Sequence, residues 1–296
     1  MATTIKSLKT PLRYPGGKSR AVVKLLQYLP DLTQVKEFRE PFLGGGSVAL
    51  EITKRYPNIE IWVNDLYEPL YNFWCELQHN GQDLEDALLS KKNHYPDRET
   101  ARKLFNDSKE DINDKEKSNF ERAVAFYIVN KCSFSGLTES SSFSAQASDS
   151  NFSMRGIEKL GEYSKLIKGW KITNESYESL VSDETLTFIY ADPPYDIKDA
   201  LYGNKGGMHR GFDHERFADV MDKCLCNVMI SYNNHPDIVM RYLEWCQYDY
   251  AHTYTMRSTG DYMKDQTKRR ELIITNYGKF GGSCTAKRVL STVSHS

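Results

Sequence analysis

An acidic residue and an aromatic separated by two prolines, Asp192-Pro193-Pro194-Tyr195, follow directly on the strand-like run Thr187-Phe188-Ile189-Tyr190-Ala191. Each proline fixes φ and removes a backbone N–H, while both carbonyls stay free to accept hydrogen bonds. Asp192 adds an acceptor beside them, so the tetrapeptide suits an exocyclic amine with two hydrogens to donate. Tyr195 supplies a flat face on which a base can stack. The carboxyl end of a strand in an open α/β sheet is also where ligands bind. The plainer reading is a Pro-Pro turn opened by Asp, as in many loops. Its neighbours in the chain decide between the two.

Upstream, Phe38-Arg39-Glu40-Pro41-Phe42-Leu43-Gly44-Gly45-Gly46-Ser47 sets an acid and an aromatic before three glycines, and an apolar helix-like stretch follows. Glycine lets a ligand come close to the backbone. Strand, glycine-rich turn and helix in this order bind nucleotide-like groups at the switch point of a doubly wound sheet. The run is neither G-x-G-x-x-G nor a P-loop, so phosphate is not the favoured ligand. Ile59-Glu60-Ile61-Trp62-Val63 reads as the next strand and ends at Asn64-Asp65. Asp65 stands about 20 residues past the glycines, where a carboxylate can accept from ribose hydroxyls. Singly, the glycines are turn punctuation and Asp65 a helix N-cap. In this order they predict a site for a ribose-containing cofactor.

The elements needed to position these groups are legible as alternating strands and helices. Lys18 to Leu29 reads as a helix with Val22, Leu25, Leu26 and Leu29 on one face. Helices follow over Ser47 to Tyr56 and Tyr67 to His79, and strands over Gly169 to Thr173, Thr185 to Ala191 and Asn227 to Tyr232. Helices are expected over 213–225 and 236–247, and segments 248–256 and 271–277 as an antiparallel pair closing the sheet. From Asn80 to Lys165 the alternation breaks. Polar helices are expected over Asp83 to Ser90, Asp97 to Asp107 and Glu116 to Lys131, and then a stretch rich in Ser, Phe and Asn at 133–154. The expected fold is α/β: a doubly wound Rossmann-like sheet formed by residues 1–79 and 166–296, interrupted by a mostly helical insertion, 80–165.

The chain resembles the adenine-N6 DNA methyltransferases of the Dam type. Leu12-Arg13-Tyr14-Pro15-Gly16-Gly17-Lys18-Ser19, Glu40-Pro41-Phe42-Leu43-Gly44-Gly45-Gly46-Ser47, Asn64-Asp65, Asp192-Pro193-Pro194-Tyr195 and Glu271-Leu272-Ile273-Ile274-Thr275-Asn276-Tyr277 carry the resemblance, in the family's order. It implies S-adenosylmethionine as cofactor and a DNA adenine as acceptor, with Asp192, Pro193, Pro194 and Tyr195 as the catalytic set. It further implies that Tyr14, Gly17 and Lys18 flank the methionine end, with Lys18 near its carboxylate. Glu40, Pro41, Phe42, Gly44, Gly46 and Ser47 would form the turn beneath the cofactor, with Phe42 packed on its adenine moiety. Asp65 would accept from its ribose, and Asp192 would also face it. After the third strand the family has an Asp-aromatic pair that holds the cofactor's adenine amine. Here the pair is Ser176-Tyr177, where Ser176 accepts one weaker hydrogen bond or Glu175 substitutes, and weaker cofactor binding is expected.

Recognition of DNA is expected of the insertion. Asn130-Lys131-Cys132-Ser133-Phe134-Ser135-Gly136-Leu137 is similar to a family run that precedes a DNA-entering hairpin, but the stretch after it departs from the family, so no target sequence is inherited. Residues 138–153 read equally as a flexible Ser-rich loop or an ordered reader. Lys131, Ser135 and Arg155 are candidate DNA contacts. Lys205 and Arg210, in the glycine-rich stretch after Tyr195, are candidate phosphate contacts, or charges of a solvated loop. Arg257, Lys264, Lys268, Arg269 and Arg270 form a further basic cluster of little weight.

Composition is that of an ordinary globular chain: 296 residues, 40% hydrophobic and 27% charged. A net charge of −1 requires that basic residues be gathered on one face if duplex DNA is the partner. Absence of an apolar leader or spanning run predicts a cytoplasmic protein with no membrane partner, and the resemblance implies a bacterial or phage-infected cell. His209, Asp213 and His214 lack zinc-site spacing, and no metal is expected. The oligomeric state is not legible. Rivals are a cytosine-N4 DNA or RNA adenine methyltransferase, or a non-catalytic nucleic-acid-binding module. The cytosine group more often carries Ser where Asp192 stands, and a binding module needs neither Asp192, Tyr195 nor Asp65.

Overall fold

The computed structural model describes residues 10–14, 17–136, 141–195, 211–251 and 270–278. Strands β1 (Glu37–Glu40), β2 (Glu60–Asn64), β3 (Lys171–Thr173), β4 (Thr187–Ala191), β5 (Asn227–Asn233), β6 (Cys246–Ala251) and β7 (Arg270–Thr275) form one sheet in the order β3-β2-β1-β4-β5-β7-β6. The first five are parallel, and β7 runs antiparallel between β5 and β6. Parallel strands covered on both faces are apolar throughout, and every residue of β4 is buried. β1 and β4 lie side by side, with Phe38 opposite Phe188, and the chain leaves them in opposite directions. That reversal is the switch point at which a crevice opens.

Alternate side chains of each strand serve two cores. Phe38, Phe188, Tyr190, Met229 and Ile273 pack with α2 (Ser47–Arg55), α3 (Glu68–His94) and α5 (Asn119–Cys132). Ile189, Val228, Ile230, Leu272 and Ile274 pack with α9 (His214–Asp222) and α10 (Pro236–Arg241).

Several expectations are revised. The helix expected over Lys18 to Leu29 is a single α turn, α1 (Val22–Leu25), between two 3-10 turns. The helix expected to stop at His79 continues to His94, kinked at Asn80. At the next residue a Cβ on Gly81 would sit 2.3 Å from the Ser164 Cβ, so only glycine lets α8 (Leu160–Leu166) lie against the kink. The third helix of the insertion, read as polar, is its buried axis; Arg122 through Cys132 are all buried. It starts at Asn119 because Ser118 and Glu121 form a reciprocal capping box, and it packs on α3 and α4 (Arg98–Asp111).

The Ser-rich stretch, where described, is structured by its serines acting as caps. The Ser144 hydroxyl accepts from Ala147 N at the start of α6 (Ala145–Ser150), and that of Ser153 from Gly156 N at α7 (Met154–Ile157). The helix expected over 236–247 ends at Arg241, because Gln247 on β6 donates to the Val239 and Tyr242 carbonyls and closes it. Among the described residues, no helix is long and apolar enough to cross a membrane.

Candidate active site

The turn after β1 is built from backbone that L side chains rarely adopt. Gly44 (φ 48°) and Gly46 (φ 67°) are left-handed, and Gly46 caps α2. The Tyr14 ring lies on Gly44, where a Cβ would meet it at 2.8 Å. The turn is pinned from below: Trp74 Nε1 donates to the Gly44 carbonyl at 3.1 Å, and Gly44 N donates to Asp65 Oδ2 at 2.9 Å. Asp65 Oδ1 accepts from Tyr67 N at 3.0 Å. Burial pushes the Asp65 carboxyl up to about 6 against the pull of both donors. Glu40 accepts from Ala49 N at 2.8 Å, and burial, with the nearby Asp192 and Asp65 charges, pushes it well above the usual carboxylate range. Gly17 N donates to the Tyr14 carbonyl, and Ser47 shares a 2.9 Å hydrogen bond with Ser19.

Asn64, which carries no distinct expectation in the sequence, ties three loops together. Its amide donates to the Pro41 and Glu175 carbonyls and accepts from Glu175 N and the Thr173 hydroxyl. Beside this clasp, Phe42, Tyr177, Phe212 and Phe217 form an aromatic wall with centroids 5.3–5.8 Å apart. Ser176 is exposed next to it.

At the switch point the tetrapeptide follows β4 with Pro193 buried. Asp192 Oδ1 accepts from the Ser231 hydroxyl at 2.7 Å, and Ser231 is bonded in turn to the Tyr190 hydroxyl at 2.9 Å. Burial raises the Asp192 carboxyl, opposed by Lys18 and reinforced by Glu271. The Lys18 ammonium, only 3% exposed, lies 3.0 Å from Asp192 Oδ1 and 3.6 Å from Glu271 Oε2. It also donates to the Tyr195 hydroxyl, which itself donates to Glu271 Oε1 at 3.2 Å. Burial would lower the Lys18 pKa, but the Asp192 and Glu271 carboxylates outweigh it and the net shift is upward. Lys18 thus reaches the tetrapeptide itself. Glu271 opens the segment 271–277 that carries part of the resemblance, yet nothing local in the sequence marks it as a site residue.

The candidate DNA contacts separate. Arg155 is exposed on α7. Lys131 is buried on α5, its ammonium 5.2 Å from the centre of the Tyr127 ring, and burial together with the Arg13 charge lowers it to about 7. Ser135 belongs to the 3-10 turn Phe134–Gly136. Lys205 and Arg210 lie outside the described residues, as do His209, Arg257, Lys264, Lys268 and Arg269. Among the described residues no cluster of His, Cys, Asp and Glu could hold a metal.

A parallel sheet reversing between β1 and β4, a glycine turn after the first and Asp-Pro-Pro-Tyr after the second define a methyltransferase of the Rossmann-like class. The chain belongs to the D12 class N6 adenine-specific DNA methyltransferase family, whose profile matches residues 14–259. Type II methyltransferase M1.LlaDCHI of Lactococcus lactis subsp. cremoris is 24% identical over 92% of this chain and 96% of its own length. Type II methyltransferase M.MjaIII of Methanocaldococcus jannaschii is 26% identical over 64% and 69%. A DNA adenine methylase of Vibrio cholerae is 23% identical over 74% and 78%. The chain is an adenine-specific DNA methyltransferase.

Proposed function

We propose that the chain methylates the N6 amine of an adenine swung out of duplex DNA, with S-adenosylmethionine as donor and Asp192, Pro193 and Tyr195 as the groups that hold the acceptor. The observation that carries this reading is the meeting of Asp192, Tyr195 and Lys18 at the switch point, within one strand of the glycine turn. The residues around the crevice fit the cofactor. Gly44 and Gly46 offer backbone without side chains, the Phe42–Tyr177 wall suits a purine, and acidic groups at 40, 65 and 192 suit hydroxyls and a sulfonium. Asp65 uses each oxygen for one backbone donor, which leaves lone pairs for ribose. When bound, the cofactor supplies an electrophilic methyl on positively charged sulfur.

The chain's own residues do the rest. An adenine amine is paired and out of reach inside the duplex, so the base must leave the stack. Tyr195 receives the extruded ring, and base–aromatic stacking recovers roughly 1–3 kcal/mol of the cost. Asp192 and the Pro193 carbonyl accept the two amine hydrogens and so turn the nitrogen lone pair out of the ring. Orientation of this kind carries much of the rate, and the Asp192 charge stabilises the positive charge that grows on the amine. Lys18 stands 3.0 Å from Asp192 Oδ1 and offsets the charge that the methylated amine needs, so it yields Asp192 as that charge develops. The helices α3 to α8, between β2 and β3, are proposed as the target-recognition unit, with Arg155 among the DNA contacts. Lys131 is not proposed as one, because its ammonium is inside. The site is proposed to act in the cytoplasm.

The test is transfer of labelled methyl from S-adenosylmethionine to unmethylated duplex DNA, comparing wild type with Asp192→Ala. The expected product is N6-methyladenine from wild type and at least a thousandfold less from the variant. A methylated base other than adenine, or an Asp192→Ala variant as active as wild type, would overturn the assignment.

A further inference from the structure

Glu271 lies on β7, 1% exposed, paired across the sheet with Asn233 on β5 and Tyr250 on β6. Two strand spacings, roughly 10 Å, separate its strand from the one that ends at Asp192. Lys18 spans that gap, with one carboxylate at 3.0 Å and the other at 3.6 Å. Tyr195 leans on the same carboxyl through its hydroxyl at 3.2 Å.

This arrangement poses a problem of charge for an incoming amine: an ammonium 3.0 Å from Asp192 Oδ1 offsets the negative charge that the amine needs as it turns positive, although Oδ2 can still accept a hydrogen. Asp192 Oδ1 already accepts from Ser231 and Lys18, and a buried ammonium stripped of its partner is strongly disfavoured. Lys18 therefore yields Asp192 only if another anion receives it. Glu271 is that anion: a movement of under about 1 Å brings the 3.6 Å contact to charge-assisted hydrogen-bond length. With Lys18 on Glu271 that pair is neutral, and the Asp192 charge is left to the amine.

We propose that Glu271 is a positioning residue for methyl transfer, the acceptor that takes over Lys18 when the target amine claims Asp192 and the anchor that fixes the Tyr195 ring. The inference rests on the reading of Asp192 as the amine acceptor, and it extends that reading to a residue two strands away. Without the Glu271 carboxylate, Lys18 stays on Asp192 and competes with every incoming base. The glycine turn, Asp65 and the Phe42–Tyr177 wall, on which the cofactor reading mainly rests, take no part in that competition, so the defect falls chiefly on the transfer step rather than on cofactor affinity.

Two measurements on the full chain test it. The first reads Lys18 directly: acylation by acetic anhydride, quantified by mass spectrometry against the unfolded protein. Lys18 is expected to stay within threefold of wild-type protection in Asp192→Ala, because Glu271 still holds it. In Asp192→Ala/Glu271→Gln it should react at least tenfold faster. Equal labelling of the single and double variants would overturn the proposal. The second is the single-turnover methylation rate. Glu271→Gln is expected to be 10- to 100-fold slower with the cofactor dissociation constant within threefold, and Glu271→Asp to recover part of the rate. A wild-type rate in Glu271→Gln, or a loss carried wholly by cofactor affinity, would also overturn it. If wild type moves no methyl to DNA, the substrate reading fails by itself, and the acylation result alone decides whether Glu271 holds Lys18.

Discussion

Lys18 and Lys131 are both buried lysines, and their surroundings push them in opposite directions. Lys18 faces two carboxylates and is held charged. Lys131 faces an aromatic ring and the Arg13 guanidinium, and its pKa falls to about 7. A base whose folded pKa lies below its unfolded value near 10.5 costs stability while the unfolded chain is the better proton binder on the acid side, and that cost shrinks as pH rises toward 10. Lys131→Met is therefore expected to raise the thermal midpoint at pH 7, with the gain over wild type shrinking by pH 9.5, and to leave DNA affinity unchanged. A loss of DNA affinity would return Lys131 to the interface. At the proposed cofactor end, Ser176 stands where the resemblance implies Asp, and it would offer only a hydroxyl to an adenine amine. Ser176→Asp is expected to lower the cofactor dissociation constant several-fold by calorimetry, and an unchanged or higher value would place that amine elsewhere.

Among the elements, α3 packs against the sheet and runs on into the helices between β2 and β3, with a kink at Asn80. Alanine is the better helix former by up to about 1 kcal/mol, so Gly81→Ala would stabilise an isolated helix. Against Ser164 at 2.3 Å the added methyl overpacks, which typically costs about 1–3 kcal/mol. Net destabilisation in urea is expected, with Gly81→Ala/Ser164→Gly recovering most of it; a stabilised single variant would show that α8 gives way. The same unit reaches the site through Asn130, which is buried at the end of α5. Its amide accepts from Arg13 N and donates to the Arg13 and Gly136 carbonyls. Tyr14, whose ring covers Gly44, follows directly on that clasp, so α5 and the glycine turn share one anchor.

At the scale of the whole molecule, charge is nearly balanced, at −1 over 296 residues. Duplex binding must then come from local gathering of basic side chains, and its mark is salt dependence. Each phosphate neutralised contributes about −0.9 to the slope of log affinity against log salt. A slope of about −3 or steeper is expected for duplex DNA, and a slope near zero would mean that no basic face meets the phosphates. The doubly wound sheet makes such gathering possible. It brings the glycine turn, Asp192 and Glu271 to one region and packs α3 and α5, between β2 and β3, on one face of the sheet.

What the sequence determined by itself was whatever depends on neighbours along the chain. The Asp-Pro-Pro-Tyr motif after an apolar strand, the glycine turn before α2 and Asp65 after β2 were all legible, because proline, glycine and strand periodicity act within a few residues. The strand–helix alternation was legible for the same reason, and with it the fold class. Helix extents were less so, since α3 runs through its kink beside Gly81, which packs on the distant Ser164, and α10 is closed by Gln247 from the following strand rather than by a turn residue. Only the tertiary structure decided the states of the lysines and the place of Glu271. Lys18 and Glu271 are 253 positions apart in the chain, and nothing local to either states that they meet. Charge and hydrogen-bond capacity belong to a residue type, but burial and partners, which set pKa and role, belong to the packed fold.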